Sequence, residues 1–231
     1  MDKNFKFGTI EYIRPDFEKM KKSAFGCAEK IKNATSYDEA KKAFLDFDKE
    51  ESAFFDMVTV ASVRHTIDTS DEFYDKEDEY LNEQIPEYSS AYMELANTLY
   101  DCAFKDDFVK EFGNSMFSNI EIQRKSYCEK NIPLLQKEAK LCSEYEKIIA
   151  SADIVFDGKH LNLYGIMSYF ENADRQVRHD AFKAYSDFYA SHEKRFEEIW
   201  DELIKIRTEQ SKNLGFDNYI PLGYLKQGRT D

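Results

Sequence analysis

Apolar residues recur at steps of three and four over most of the chain, the spacing that lays one stripe along a helix. After Pro15, a residue suited to a helix's first turn, the stripe runs Phe17, Met20, Ala24, Cys27, Ala28 and Ile31. Ser36-Tyr37-Asp38-Glu39 has the form of a capping box, whose hydroxyl and carboxylate satisfy backbone donors at a helix start. The helix it opens carries Ala40, Ala43, Phe44, Phe47, Phe54, Phe55, Val58 and Ala61. Thr69-Ser70-Asp71-Glu72 repeats the signature before a third stripe through Phe73, Tyr80, Leu81, Ile85, Tyr88, Tyr92, Leu95 and Leu99. Pro86 lies inside that stripe and predicts a kink or a split.

Shorter helices are expected over about 106–112, stopped by Gly113, and over about 115–129. Another opens near Asn131, with Pro133 in its first turn, and runs through Leu141, Tyr145, Ile148 and Ile149. The pattern then changes. Residues 152–163, ADIVFDGKHLNL, set β-formers on both sides of Asp157-Gly158, and Asp-Gly tolerates the positive φ that a tight hairpin turn needs. From about Asp174 the helical pattern returns and lasts to Leu214, with Gly215 as its stop. Forty residues is long for one globular helix, so a break is expected near Ala190–Glu193. The fold class that follows is mainly α, a multi-helix domain with one short β-hairpin near 152–163.

Composition narrows the classes of function. The 231 residues bury about 70% of their unfolded surface by size scaling alone. Nineteen Phe and 15 Tyr against 8 Gly and 4 Pro exclude a disordered or collagen-like chain. A net charge of −13 argues against nucleic acid as a partner, which needs a basic face. No apolar run is long enough to span a membrane, and the first residues lack the apolar core of a secretory signal. The four cysteines, 27, 102, 128 and 142, form no C-x-x-C pair and read as reduced buried thiols. The expected location is cytoplasmic.

Few candidate constellations survive scrutiny. His192-Glu193-Lys194-Arg195-Phe196 begins like the H-E-x-x-H helix of a zinc peptidase, but Phe196 stands where the second histidine must share the metal. Arg64, His65 and Asp68 gather a cation, an imidazole and a carboxylate where one helix ends and the next begins. They read either as a helix-end network, with Asp68 or Thr69 capping the following helix, or as polar groups lining a cleft. The acidic run from Asp71 to Glu87 reads as a solvated helix face, or as a source of negative potential for cationic peptides. Asp174-Arg175-Gln176-Val177-Arg178 reads as a helix start. No phosphate loop and no complete active site can be assembled, so neither a catalytic nor a metal-binding residue is assigned.

Several segments, taken in order, carry a resemblance. They are Tyr12-Ile13-Arg14-Pro15-Asp16, ASVRHTIDTSDEFYDKEDEY (61–80), EYEKIIASADIVFDGKHLNL (144–163), DRQVRHDAFKAY (174–185), IWDELIKIRTEQSKNLGFDNYIPLGY (199–224) and the closing GRTD. Together they resemble the N-terminal half of oligoendopeptidase F-type zinc metallopeptidases, relatives of thimet oligopeptidase. The resemblance implies that residues 1–231 are a helical N-terminal domain, roughly half of such an enzyme, with 150–172 as the place where it could subdivide. It implies one wall of a channel in which short peptides are hydrolysed, with Arg64, His65 and Asp68 as candidate channel-facing groups. Zinc and its H-E-x-x-H ligands belong to the family's C-terminal half, the expected partner, so this chain holds no cofactor and is inactive alone. An apolar surface left uncovered would promote self-association. The alternative is a stand-alone helical interaction module that has lost the catalytic half.

Overall fold

The structure is a computed structural model describing residues 6–228. Arg229, Thr230 and Asp231, the end of the GRTD segment, lie outside the described residues. These contain nine α-helices and one two-stranded antiparallel sheet. They fall into two compact units, one running to Gln136 and resuming at Gln210, the other spanning Lys137–Glu209.

In the first unit, α1 (Phe17–Lys32), α2 (Tyr37–Ile67) and α3 (Glu72–Asp101) pack on one another. The six stripe residues from Phe17 to Ile31 are all buried. Asp16 is the N-cap of α1, its carboxylate accepting from the Lys19 N–H at 2.9 Å. At α2 the Ser36 hydroxyl accepts from the Glu39 N–H, while the Glu39 carboxylate reaches back to the Thr35 N–H and hydroxyl. The box therefore closes one residue further out than the sequence suggests. Aromatic rings fill the core edge-on: Phe17 meets Phe54 with centroids 4.8 Å apart, and Tyr37 meets Phe108 at 5.2 Å. Helices α4 (Lys105–Phe112) and α5 (Asn114–Ser126) follow, separated by Gly113 at φ +87°. Helix α5 packs on α3 and on α9 (Tyr219–Lys226).

Two expectations are corrected here. Helix α3 runs through Pro86 without a split. A proline deletes a single backbone donor and crowds the preceding turn, and Pro86 is buried in a helix held on α1 and α2. Helix α8 (Arg175–Asn213) is unbroken for 39 residues, with no interruption at Ala190–Glu193. That span contains neither Gly nor Pro, so length alone was no reason for a break. Its ends are as read: Asp174 accepts from the Gln176 N–H at 2.7 Å, and Gly215 at φ +82° stops the last turn.

In the second unit, α6 (Ile132–Ala150) and α8 are tied by ion pairs within Lys137–Glu209. Arg195 grips both oxygens of Glu144 at 2.5 and 2.6 Å, Arg207 meets Glu138 at 2.8 Å and Lys137 meets Glu202 at 3.0 Å. Strands β1 (Ile154–Phe156) and β2 (Lys159–Leu161) form the expected hairpin, with Val155 opposite His160. Asp157 and Gly158 take φ values of +52° and +69° at its turn, the left-handed pair of a type I′ connection. Ala152, Ile154, Leu163 and Ile166 bury against Ala181, with α7 (Leu163–Met167) closing this small core. Among the described residues no helix is long and apolar enough to cross a membrane.

Candidate functional site

The polar residues singled out in the sequence lie where the segment before α1 meets the end of α2 and the start of α3. Arg64 sits in the last turn of α2. Its guanidinium donates to the Tyr74 hydroxyl at 2.5 Å and to the Ile10 carbonyl at 2.6 Å, with Tyr74 and Phe7 rings near its plane. His65 is 3% exposed, its Nε2 3.3 Å from an Asp75 oxygen and its Nδ1 3.6 Å from an Asp78 oxygen. Asp68 does not join them. It is exposed, ends α2, and accepts from the Ser70 hydroxyl and N–H at 2.6 and 3.0 Å, bonds that lower its pKa. The N-cap of α3 is Asp71 rather than Asp68 or Thr69, its carboxylate accepting from the Phe73 and Tyr74 N–H groups.

The centre of the cluster is a residue that sequence reasoning assigned to a solvated face. Glu77 is fully buried. Tyr12 donates to it at 2.6 Å, and Arg14 forks onto both its oxygens through Nε, at 3.0 Å each, and through a terminal nitrogen. Burial pushes the Glu77 carboxyl up, but the Arg14 and Tyr12 hydrogen bonds outweigh it and leave its pKa below the usual range. Arg14 also lies 4.9 Å over the Tyr80 ring, whose hydroxyl donates to the Pro15 carbonyl. One signal could have found it: Glu77 stands four residues before Leu81, on the apolar stripe itself.

What this arrangement does is fasten the N-terminal segment to α2 and α3. Among the described residues His65 is set against Asp75 and Asp78, with no serine, threonine or cysteine bonded to it as a nucleophile would be to its base. Nor do the described residues include three or more His, Cys, Asp or Glu side chains grouped to hold a metal. His192 is engaged with rings instead: it stacks 4.6 Å from Phe188 and 6.1 Å from Phe196, its Nδ1 2.9 Å from the Phe188 carbonyl. In the second unit, Cys142, Tyr145, Phe196, Ile199, Trp200 and Leu203 line an apolar groove of about 630 Å³. Trp200 is 63% exposed there.

The family model for the Peptidase M3 N-terminal domain matches residues 7–127, which hold the whole Arg14–Glu77 cluster. The chain belongs to the M3 peptidase family. Three solved structures agree with this. A PZ peptidase A determined with an inhibitor is 34% identical, with a TM-score of 0.94, over 98% of this chain and 40% of its own. A protein described as an oligoendopeptidase F gives 34% identity and a TM-score of 0.95 over the same shares. A protein from Bacillus anthracis str. Ames, also described as an oligoendopeptidase F, gives 32% and 0.94 over 97% of this chain and 41% of its own. No curated protein matches the chain. This M3 chain therefore spans about 40% of the length of the peptidases it resembles, and the resemblance read from the sequence is the family the comparisons show.

Proposed function

We propose that the chain is the N-terminal, channel-forming helical part of a zinc-dependent oligopeptidase that hydrolyses short peptides. The observation that carries this is the near-complete overlay of the chain on about 40% of the length of M3 peptidases. In this reading residues 1–231 are one N-terminal domain. In the same reading zinc and the general base belong to the catalytic part, as the M3 family membership implies. In this reading the half-buried Arg64 and the exposed Asp68 are the channel-wall candidates, while His65 is buried against Asp75 and Asp78. The four cysteines are free thiols, in keeping with a reducing, cytoplasmic location.

The test joins this chain to the remaining part of a matching oligoendopeptidase F, either fused or mixed as separate folded proteins. A quenched-fluorescent peptide should be cleaved only by the combination, and a chelator should abolish the cleavage. A folded catalytic part that neither associates nor gains activity would overturn the reading. Association without activity would favour a helical interaction module instead.

A further inference from the structure

The apolar groove of the second unit lies away from that unit's own small core. The hairpin and α7 bury against Ala181, whereas the groove is built around Ile199, about 27 Å further along α8 at the helical rise. Helices α6 and α8 run antiparallel beside it, since Lys137 at the start of α6 meets Glu202 and Glu144 further on meets Arg195. Ile199 and Leu203 form a buried floor, and the Tyr145 and Phe196 rings touch with centroids 5.5 Å apart. Tyr145 and Trp200 remain exposed with the rest of the described chain in place. A seam of this kind between two helices receives a third, amphipathic helix through apolar residues spaced three and four apart.

The rim selects the charge of that helix. Glu146 and Glu197 line the groove. Glu193 and Asp201 stand one turn before and after Glu197, on the same face of α8. All four carboxylates are exposed. The cations of the two helices are engaged with other carboxylates: Arg195 holds Glu144 and Glu198, Lys137 holds Glu202, and Arg207, which also lines the groove, holds Glu138. An apolar seam edged by a row of carboxylates complements an apolar stripe flanked by lysine or arginine. We infer that this groove docks an amphipathic helix with a basic flank, its stripe on Ile199, Trp200 and Leu203 and its cations along Glu146 and the Glu193–Asp201 row. All of these residues lie on α6 and α8, so the site does not need a catalytic part.

Trp200 is the chain's single tryptophan, so its fluorescence reports the groove directly: covering an exposed indole moves its emission to shorter wavelength. The probe is a tryptophan-free peptide of about 18 residues, long enough to form a helix, with leucines at helical spacing flanked by lysines. One control keeps the leucines and replaces the lysines by glutamates. A second keeps the composition and scrambles the spacing.

At about 50 mM NaCl the lysine peptide should shift the emission of the whole chain to saturation and bind about tenfold more tightly than either control. Raising the salt to about 500 mM should weaken it, because exposed charges are then screened. Glu146→Gln combined with Glu197→Gln alters two exposed side chains and should reduce the preference for lysine over glutamate while the fold is kept. Tyr145→Ser should instead weaken both leucine-striped peptides alike. Equal affinity for the lysine and glutamate peptides, indifference to the double variant, or no shift up to about 1 mM peptide would overturn the proposal. So would either of two other occupants. A shift at low salt that grows with chain concentration in the absence of peptide would assign the groove to a second copy. A supplied catalytic part that shifts the emission and displaces the peptide would assign it to the rest of a peptidase.

Discussion

A carboxylate with no exposed surface keeps its charge only while donors hold it. Glu77 has Arg14 and Tyr12 for this, each from the segment that precedes α1, so one side chain on α3 anchors that segment. Its folded pKa is lowered. The stabilisation is therefore complete above the unfolded carboxyl pKa of about 4.3 and is lost as pH falls through the lower folded value. Glu77→Gln should cost about 2 kcal/mol at neutral pH, the scale of hydrogen bonds to a charged group. The gap to the unmodified chain in urea unfolding should narrow toward about pH 3.5. A gap of equal size at both pH values would show that the charge contributes nothing. The residue was not legible as an anchor because charge runs are ordinarily solvated. Its two partners lie 63 and 65 positions away, and no local pattern reports a contact at that separation.

Where an element's cause is local, the sequence showed it. The stripe of α1 is a matter of spacing along one helix, and the hairpin is a matter of Asp157-Gly158 between β-formers. The absence of a split at Pro86 and of a break in α8 was not legible for the opposite reason: whether a helix passes through a weak point depends on what it packs against, which is tertiary information. The hairpin gives a direct check. A Cβ built on Gly158 would meet nothing within 4 Å, so the cost of Gly158→Ala comes from its φ of +69° alone. That conformation should cost about 1 kcal/mol, seen as a lowered urea midpoint with unchanged helical circular dichroism. Asn at the same position tolerates positive φ better and should recover part of the loss. If Ala and Gly proved equally stable, the turn would not hold the left-handed geometry described.

At the scale of the whole chain, two opposing surface terms decide behaviour in solution. The second unit exposes Trp200 and Tyr145 in its apolar groove, a patch of the kind that ordinarily finds a cover. A net charge of −13 opposes association of two identical copies. Salt screens the repulsion, the Debye length falling to about 10 Å at 0.1 M, but leaves apolar burial intact. Self-association in sedimentation velocity should therefore strengthen between about 50 and 500 mM NaCl. Trp200→Ser should weaken it by about tenfold, since an exposed tryptophan concentrates interface energy, with little change in unfolding stability because the ring is not part of a core. Mixed with a separately supplied catalytic part, the same variant should bind it more weakly if the groove is covered there. A chain that stays monomeric at both salt concentrations would show that the exposed groove does not drive association even once the repulsion is screened.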